Sequence, residues 1–371
     1  MKKLATLLTL LCLLVLITSA TKIKSDELTA NFITGDTQIA SINQMAFGPE
    51  GILFIGDSKN AAIYAINTKD NTAAEKAAAI NIDQFDKKVA EALGTTTDNI
   101  QISDMAVNPV SKTAYFGVTH QDGSVVLLKL VGDTLNNVSL KEAHYSKIAL
   151  ADAVGVDDKD RRGRSLRRWA IADMKYHKGA LLVSGLSNKE FKSTFRSIPF
   201  PFADKQGYAS LEIYHAAHGR YETYAPIKAF DLITIDGKEH LLASYTCTPL
   251  VLFAIDELKP GAHIKGRTVA ELGAGNSPLD MLHIMKDGKP VFYMSNTNRP
   301  VMRIKYDAIA SYSTDLTEPV TEFAATAGVA YDNLPFVNVL QLDDLDADNM
   351  LLLQRASSGN LVLKNRTKKW M

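Results

Sequence analysis

The feature that most constrains this chain is an internal repeat. Six segments share one phrase: an aliphatic residue, a polar position, a methionine or other large apolar residue, a turn, and an apolar strand ending in small or polar residues. The clearest copies are INQMAFGPEGILFIGDS from Ile42, ISDMAVNPVSKTAYFGVTH from Ile102 and IADMKYHKGALLVSGLS from Ile171. Weaker copies begin at Ile227, Pro278 and Leu340. The large apolar markers Met45, Met105, Met174, Phe230, Met281 and Leu342 are spaced by 60, 69, 56, 51 and 61 residues.

Each copy reads as strand, turn, strand, turn, strand. In the first, Gly48-Pro49-Glu50-Gly51 separates Met45-Ala46-Phe47 from Ile52-Leu53-Phe54-Ile55, and Gly56 to Asn60 turns the chain into Ala61 to Ile66. Continuous apolar runs of this length suit strands buried on both faces. A lone antiparallel unit cannot cover both faces, whereas units stacked radially can, so the sequence predicts an all-β fold: a β-propeller of four-stranded blades. Six copies favour six blades, and a degenerate seventh has room between residues 130 and 168 or within 186 to 225. Residues Glu27 to Thr34 are expected to supply a strand that closes the ring against the last blade, Leu351 to Leu363.

The phrase FGPEGILFIGDSKNAAIYAI resembles blades of NHL-repeat propellers and of the SMP-30/gluconolactonase-like six-bladed propellers, and the shared repeat grammar covers most of residues 40 to 365. The resemblance implies a six-bladed ring. In the SMP-30-like lactonases a divalent ion is held at the channel mouth by carboxylate and amide oxygens from inner strands.

Compartment and partners follow from the ends and the charge. Residues 1 to 20, MKKLATLLTLLCLLVLITSA, have a basic start, an apolar core and small residues at Thr18-Ser19-Ala20, which reads as a signal peptide. The expectation is export to a periplasmic or extracellular location, leaving residues 21–371 as one propeller domain. Cleavage removes Lys2, Lys3 and Cys12, so 39 of the 41 basic residues remain against 41 acidic, and Cys247 is the one cysteine left. A neutral balance argues against a nucleic-acid partner, and no later segment is apolar and long enough for a membrane span.

Insertions into the repeat carry candidate binding residues, because loops on a rigid scaffold are where such residues gather. Residues 70 to 100 contain Phe85, Val89 and Leu93 at helical spacing, which predicts one short helix packed on a blade edge. Residues 161 to 168 hold five arginines, among them Arg164, Arg167 and Arg168, suited either to a carboxylate or phosphate group or to a solvated loop paired with Asp157, Asp158 and Asp160. Lys189 to Tyr208, rich in phenylalanine, either covers one channel mouth with Arg196 turned inward or docks onto the propeller body. His215 and His218 invite a metal reading, but a hairpin turn at Ala216-Ala217-His218-Gly219 sets them on opposite sides of the bend. Cys247, at the end of a blade strand, is either a structural cysteine or an accessible thiol.

The polar position before each marker holds Gln44, Asp104, Asp173, Ala229, Asp280 and Gln341. The first strand of a propeller blade lines the axis, so these residues are expected to form a ring. At about 8 Å and an effective dielectric near 20, each pair of aspartates repels by about 2 kcal/mol, which something must offset. Backbone donors, nearby arginines, raised carboxylate pKa values or a bound cation, calcium or similar, would each do so. Asp104, Asp173 and Asp280 match the lactonase ion site in kind, while Gln44 stands where those enzymes have a glutamate. Two functions remain open: a propeller that binds a small molecule or protein partner at the channel mouth without catalysis, and a divalent-metal-dependent hydrolase of the lactonase type.

Overall fold

The computed structural model describes residues 25–204 and 206–371. The expected signal peptide lies outside them. Six antiparallel sheets form the blades of a propeller, and all six sequence markers fall on first strands. In chain order the blades begin at Gln44–Phe47, Ile100–Val107, Asp173–His177, Ile227–Ile235, Pro278–Lys286 and Val339–Asp344. No seventh blade forms in the described residues. The two segments with room for one instead contribute outer strands, Ala143–Ala149 to the first blade and Ser193–Pro199 and Tyr208–His215 to the third.

Second strands are buried on both faces because a neighbouring blade covers each side. In the second strand of the third blade, Leu181 and Val183 enter the core shared with the first blade, while Leu182 enters the core shared with the fourth. Six hydrophobic clusters arise in this way, one at each junction between blades. Their membership gives the order around the ring as second, first, third, fourth, fifth, sixth. The first two blades are therefore transposed relative to the chain. Close packing enforces the arrangement: a Cβ on Gly117 of the second blade would lie 2.4 Å from Ile42 of the first, and one on Gly56 of the first would lie 2.9 Å from Ile171 of the third.

The transposition also changes how the ring closes. After the first blade the chain adds Asn81–Ile82 to the outer edge of the last blade, pairing Ile82 with Leu363, and only then builds the second. It next returns to the first blade as Ala143–Ala149, which uses the longest of the repeat spacings. The expected closing strand at Glu27 to Thr34 is thus not found there. Ser25–Leu28 is a helical turn, and Ile33–Gly35 pairs with the outer edge of Ala143–Ala149, because the edge of the last blade is already occupied. The predicted helix is present as Phe85–Ala92, with Gly94 in the left-handed conformation just past its end. Phe85 and Val89 are fully buried between the second and sixth blades, and the Phe85 ring lies 4.7 Å from that of Phe116.

Candidate functional site

A cavity of about 630 Å³ lies on the axis and receives residues from the first strands of all six blades. Gln44, Asp104, Asp173, Asp280 and Gln341 all line it, so the polar positions of the repeat do meet at the channel. Four of the six first strands bulge just before that position, at Ser103, Lys228, Leu279 and Leu340. A bulge re-aims the side chain it leaves unpaired. In the fourth blade, where the polar position is Ala229, the bulge brings Lys228 to the cavity instead.

The carboxylates are tied to the backbones of neighbouring blades. Asp104 accepts from the amide of Met45 in the first blade at 2.5 Å and from Gln341 Nε2 in the sixth at 3.0 Å. Asp173 accepts from its own neighbour Met174 and, at 2.8 Å, from Phe230 of the fourth blade. Asp280 accepts likewise from Met281 and from Leu342 of the sixth at 3.0 Å. Asp343, which lines the same cavity, accepts from Val107 of the second blade, and the fully buried Asp231 holds Lys175 Nζ at 2.6 Å and His283 Nδ1 at 2.9 Å. Inner strands of different blades share no ladder, so these side chains supply the bonds between them.

Burial sets the charge state of this layer. It pushes Asp173, Asp280 and Asp343 up to about 7, against amide hydrogen bonds that pull the other way. Burial, with Asp280 and Asp173 nearby, raises Asp104 well above the usual range. Burial would also raise Asp231, but Lys175 and His283 hold it down at about 2. Lys228 is lowered to about 7, first by desolvation and then by Arg168. Its Nζ sits 3.2 Å from the Trp169 ring centroid, with the Arg168 guanidinium 4.7 Å from the same ring.

The three ring aspartates do not converge as a ligand set. Among the described residues, the one group of three His, Cys, Asp or Glu side chains with ligand atoms within 4.8 Å of one another is His215, His218 and Cys247. The ring aspartates therefore do not fit a shared cation in this arrangement, and each already has both oxygens engaged by hydrogen-bond donors.

The remaining candidates separate. Arg164 pairs with Asp160, and Arg167 bonds the carbonyls of Val154 and Lys59, so these two arginines hold the loop and its neighbours. Arg168 reaches the channel rim through Trp169. Arg196 is not in the channel: Ser193–Pro199 is the third strand of its blade, where Arg196 is buried against the Tyr208 ring and bonds the Ala151 carbonyl. The phenylalanines of that insertion, Phe195, Phe200 and Phe202, enter the core, so the segment docks on the propeller body. His215 and His218 are not held apart by the bend. The turn Ala216–His218 is helical and Gly219 is left-handed, which folds His218 back until the two rings lie 3.8 Å apart. Lys228 and Lys175 line the cavity, Asp231 holds Lys175, and Trp169 completes the lining, none of them expected there. Charged residues inside otherwise apolar first strands are the signal that could have found the first three.

The fold and site define a six-bladed β-propeller with an axial cavity of small-molecule size lined by both polar and apolar side chains. No protein-family model matches the chain, and no curated protein does. Solved structures similar in fold include a chain of the mitotic checkpoint complex, at TM-score 0.39 and 9% identity over 95% of this chain and 99% of that one. A putative oxidoreductase (glucose dehydrogenase) from Thermus thermophilus aligns at 0.35 and 10% identity, over 90% and 100%. The PQQ-bound aldose sugar dehydrogenase of Streptomyces coelicolor aligns at 0.32 and 13%, over 90% and 97%. At these scores the likenesses carry no argument about activity, and the six blades rest on the strand pairing itself. Among the described residues no helix is long and apolar enough to cross a membrane.

Proposed function

We propose that this protein is an exported propeller that binds a small polar molecule at the mouth of its axial channel without turning it over. The observation that carries the reading is the commitment of the ring carboxylates. Asp104, Asp173 and Asp280 each accept at both oxygens, and the bonds to Met45, Gln341, Phe230 and Leu342 cross blade boundaries. They brace the ring rather than converge on one ion or one water. The cavity they line also presents a mixed set: Lys228, which titrates near neutrality, the amide of Gln44, and the Trp169 face. Such a set donates and accepts hydrogen bonds at once, which suits a hydroxyl-rich or zwitterionic ligand of a size that 630 Å³ admits. Export rests on the leader-like residues 1 to 20.

The test is a thermal-shift screen with monosaccharides, aldonolactones, dicarboxylates and amino acids, repeated on Lys228→Met. A probe that raises the melting temperature of the parent and not of the variant supports the reading. Lactone hydrolysis that depends on added calcium or manganese and is lost in Asp280→Asn would replace it with the hydrolase.

A further inference from the structure

We propose a second site, away from the channel: His215, His218 and Cys247 bind a zinc ion where the outer strand of the third blade meets the turn between the second and third strands of the fourth. His215 ends the fourth strand of the third blade, His218 lies in the turn that follows, and Cys247 sits between the second and third strands of the fourth blade. One ligand atom from each falls within 4.8 Å of the others. Zinc at about 2.0–2.3 Å from nitrogen and sulfur needs ligand atoms about 3.3–3.8 Å apart in a tetrahedron. His218 and Cys247, the less buried two, can supply that contraction by small rotations.

The decisive geometry is around Glu222. Its two oxygens hold His215 Nδ1 at 2.9 Å and His218 Nδ1 at 2.7 Å, and the carboxylate is almost wholly buried. A carboxylate only accepts, so each Nδ1 donates, and in the neutral ring each Nε2 keeps its lone pair for a metal. This is how an outer carboxylate fixes the tautomer and orientation of metal-bound imidazoles. Tyr224 and Arg220 anchor Glu222 in turn, at 2.8 and 3.2 Å.

An unpartnered buried nitrogen at the site points independently to a ligand. His215 Nε2 has no hydrogen-bond partner although its side chain is only 2% exposed, and Glu271, fully buried, leaves Oε1 without one. Orphaned buried polar atoms are costly and rarely left so. Glu271 Oε2 lies 3.9 Å from His215 Nε2 and accepts from the amide of Ala217, so this carboxylate borders the site without joining the three converging ligand atoms, and a solvent molecule would complete the tetrahedron. Cys247 and Thr248 both have left-handed backbones, at φ of 67° and 60°, in a turn held by the bonds from Cys247 N to Asn276 and from Thr248 to Tyr245 and Gly273. Two nitrogens and a thiolate form a donor set that suits zinc better than a hard cation.

The full chain is stripped with chelator, loaded with zinc chloride, desalted and assayed for zinc per chain while Cys247 is titrated with a maleimide. The expected result is one zinc per chain, with alkylation of Cys247 slowed by zinc and restored by chelator. Cobalt in place of zinc gives tetrahedral bands with thiolate charge transfer. Cys247→Ala and His218→Ala each lower zinc affinity at least tenfold, and Glu222→Gln lowers it about 10–100-fold. His218 is at the surface, so an unchanged melting temperature of stripped His218→Ala shows that its fold is kept. Zinc absent from the loaded parent, or retained equally by Cys247→Ala and His218→Ala, overturns the proposal.

Discussion

The amide of Phe230 donates to Asp173 Oδ2 at 2.8 Å across the boundary between the third and fourth blades. The bond lies beside the channel, where adjacent first strands splay around the axis and cannot pair with each other. A short acidic side chain at the position before the marker reaches one blade over, and the same device recurs from Asp104 to Met45 and from Asp280 to Leu342. The ring that looks like a charge problem in the sequence is largely a set of hydrogen-bond acceptors.

These acceptors make stability depend on pH. The folded-state pKa values of Asp173, Asp280 and Asp343 are raised to about 7, above the unfolded value of about 3.9, so the folded chain binds more protons between those limits. Their contribution therefore falls as pH rises from about 4 to 7 and is level above it. Asp280→Asn removes one such group and keeps one carbonyl acceptor. Its melting temperature should fall less steeply than that of the parent between pH 5 and 7.5, and parallel curves would contradict the burial-raised carboxylate.

Lys228 has the opposite sense. Its pKa is lowered to about 7, so the cost of burying its charge is full below pH 7 and fades as pH climbs to about 10. Lys228→Met should gain stability at pH 6 and lose most of that gain at pH 9.5, measured by thermal unfolding at both values.

Packing at the transposed junction can be tested by overfilling it. Gly117→Ala puts a methyl group 2.4 Å from Ile42 Cγ2 and should cost about 1–3 kcal/mol in urea unfolding. The clash is between blades one and two, so Ile42→Ala in the same chain should recover part of the loss. Additive effects of the two substitutions would mean these residues are not neighbours.

Ring closure depends on the segment between the first two blades. Phe85→Ala should destabilise by about 3–5 kcal/mol, because its ring is fully buried between the second and sixth blades. Lys87→Ala, on the same helix and facing solvent, should stay within about 0.5 kcal/mol of the parent. Equal effects at the two positions would show that the helix does not brace the junction.

Much of this is legible in the repeat. Each marker from Met45 to Leu342 sits on a first strand, and the helix around Phe85 and Val89 follows its spacing. Gln44, Asp104, Asp173, Asp280 and Gln341 line one cavity because equivalent positions in equivalent blades face the same axis. The side chains that complete the sites are only partly legible. The charge of Lys228 in an apolar first strand is visible in the residue pattern, but the bulge that turns it to the channel is not. A flat hairpin would separate His215 from His218, whereas the helical turn with left-handed Gly219 stacks their rings.

The sequence by itself determined the repeating unit and the equivalent polar positions that face the axis, and favoured six units over seven, since those depend on local periodicity and on the need of each blade to cover both faces. Only the tertiary structure decided which blades are neighbours, which segment closes the ring, and that Cys247 meets two histidines from another blade. Those are long-range pairings among nearly equivalent edges. Repeat units that look alike give no local signal of order, so the choice falls to particular contacts such as Ile42 on Gly117 and Ile82 beside Leu363.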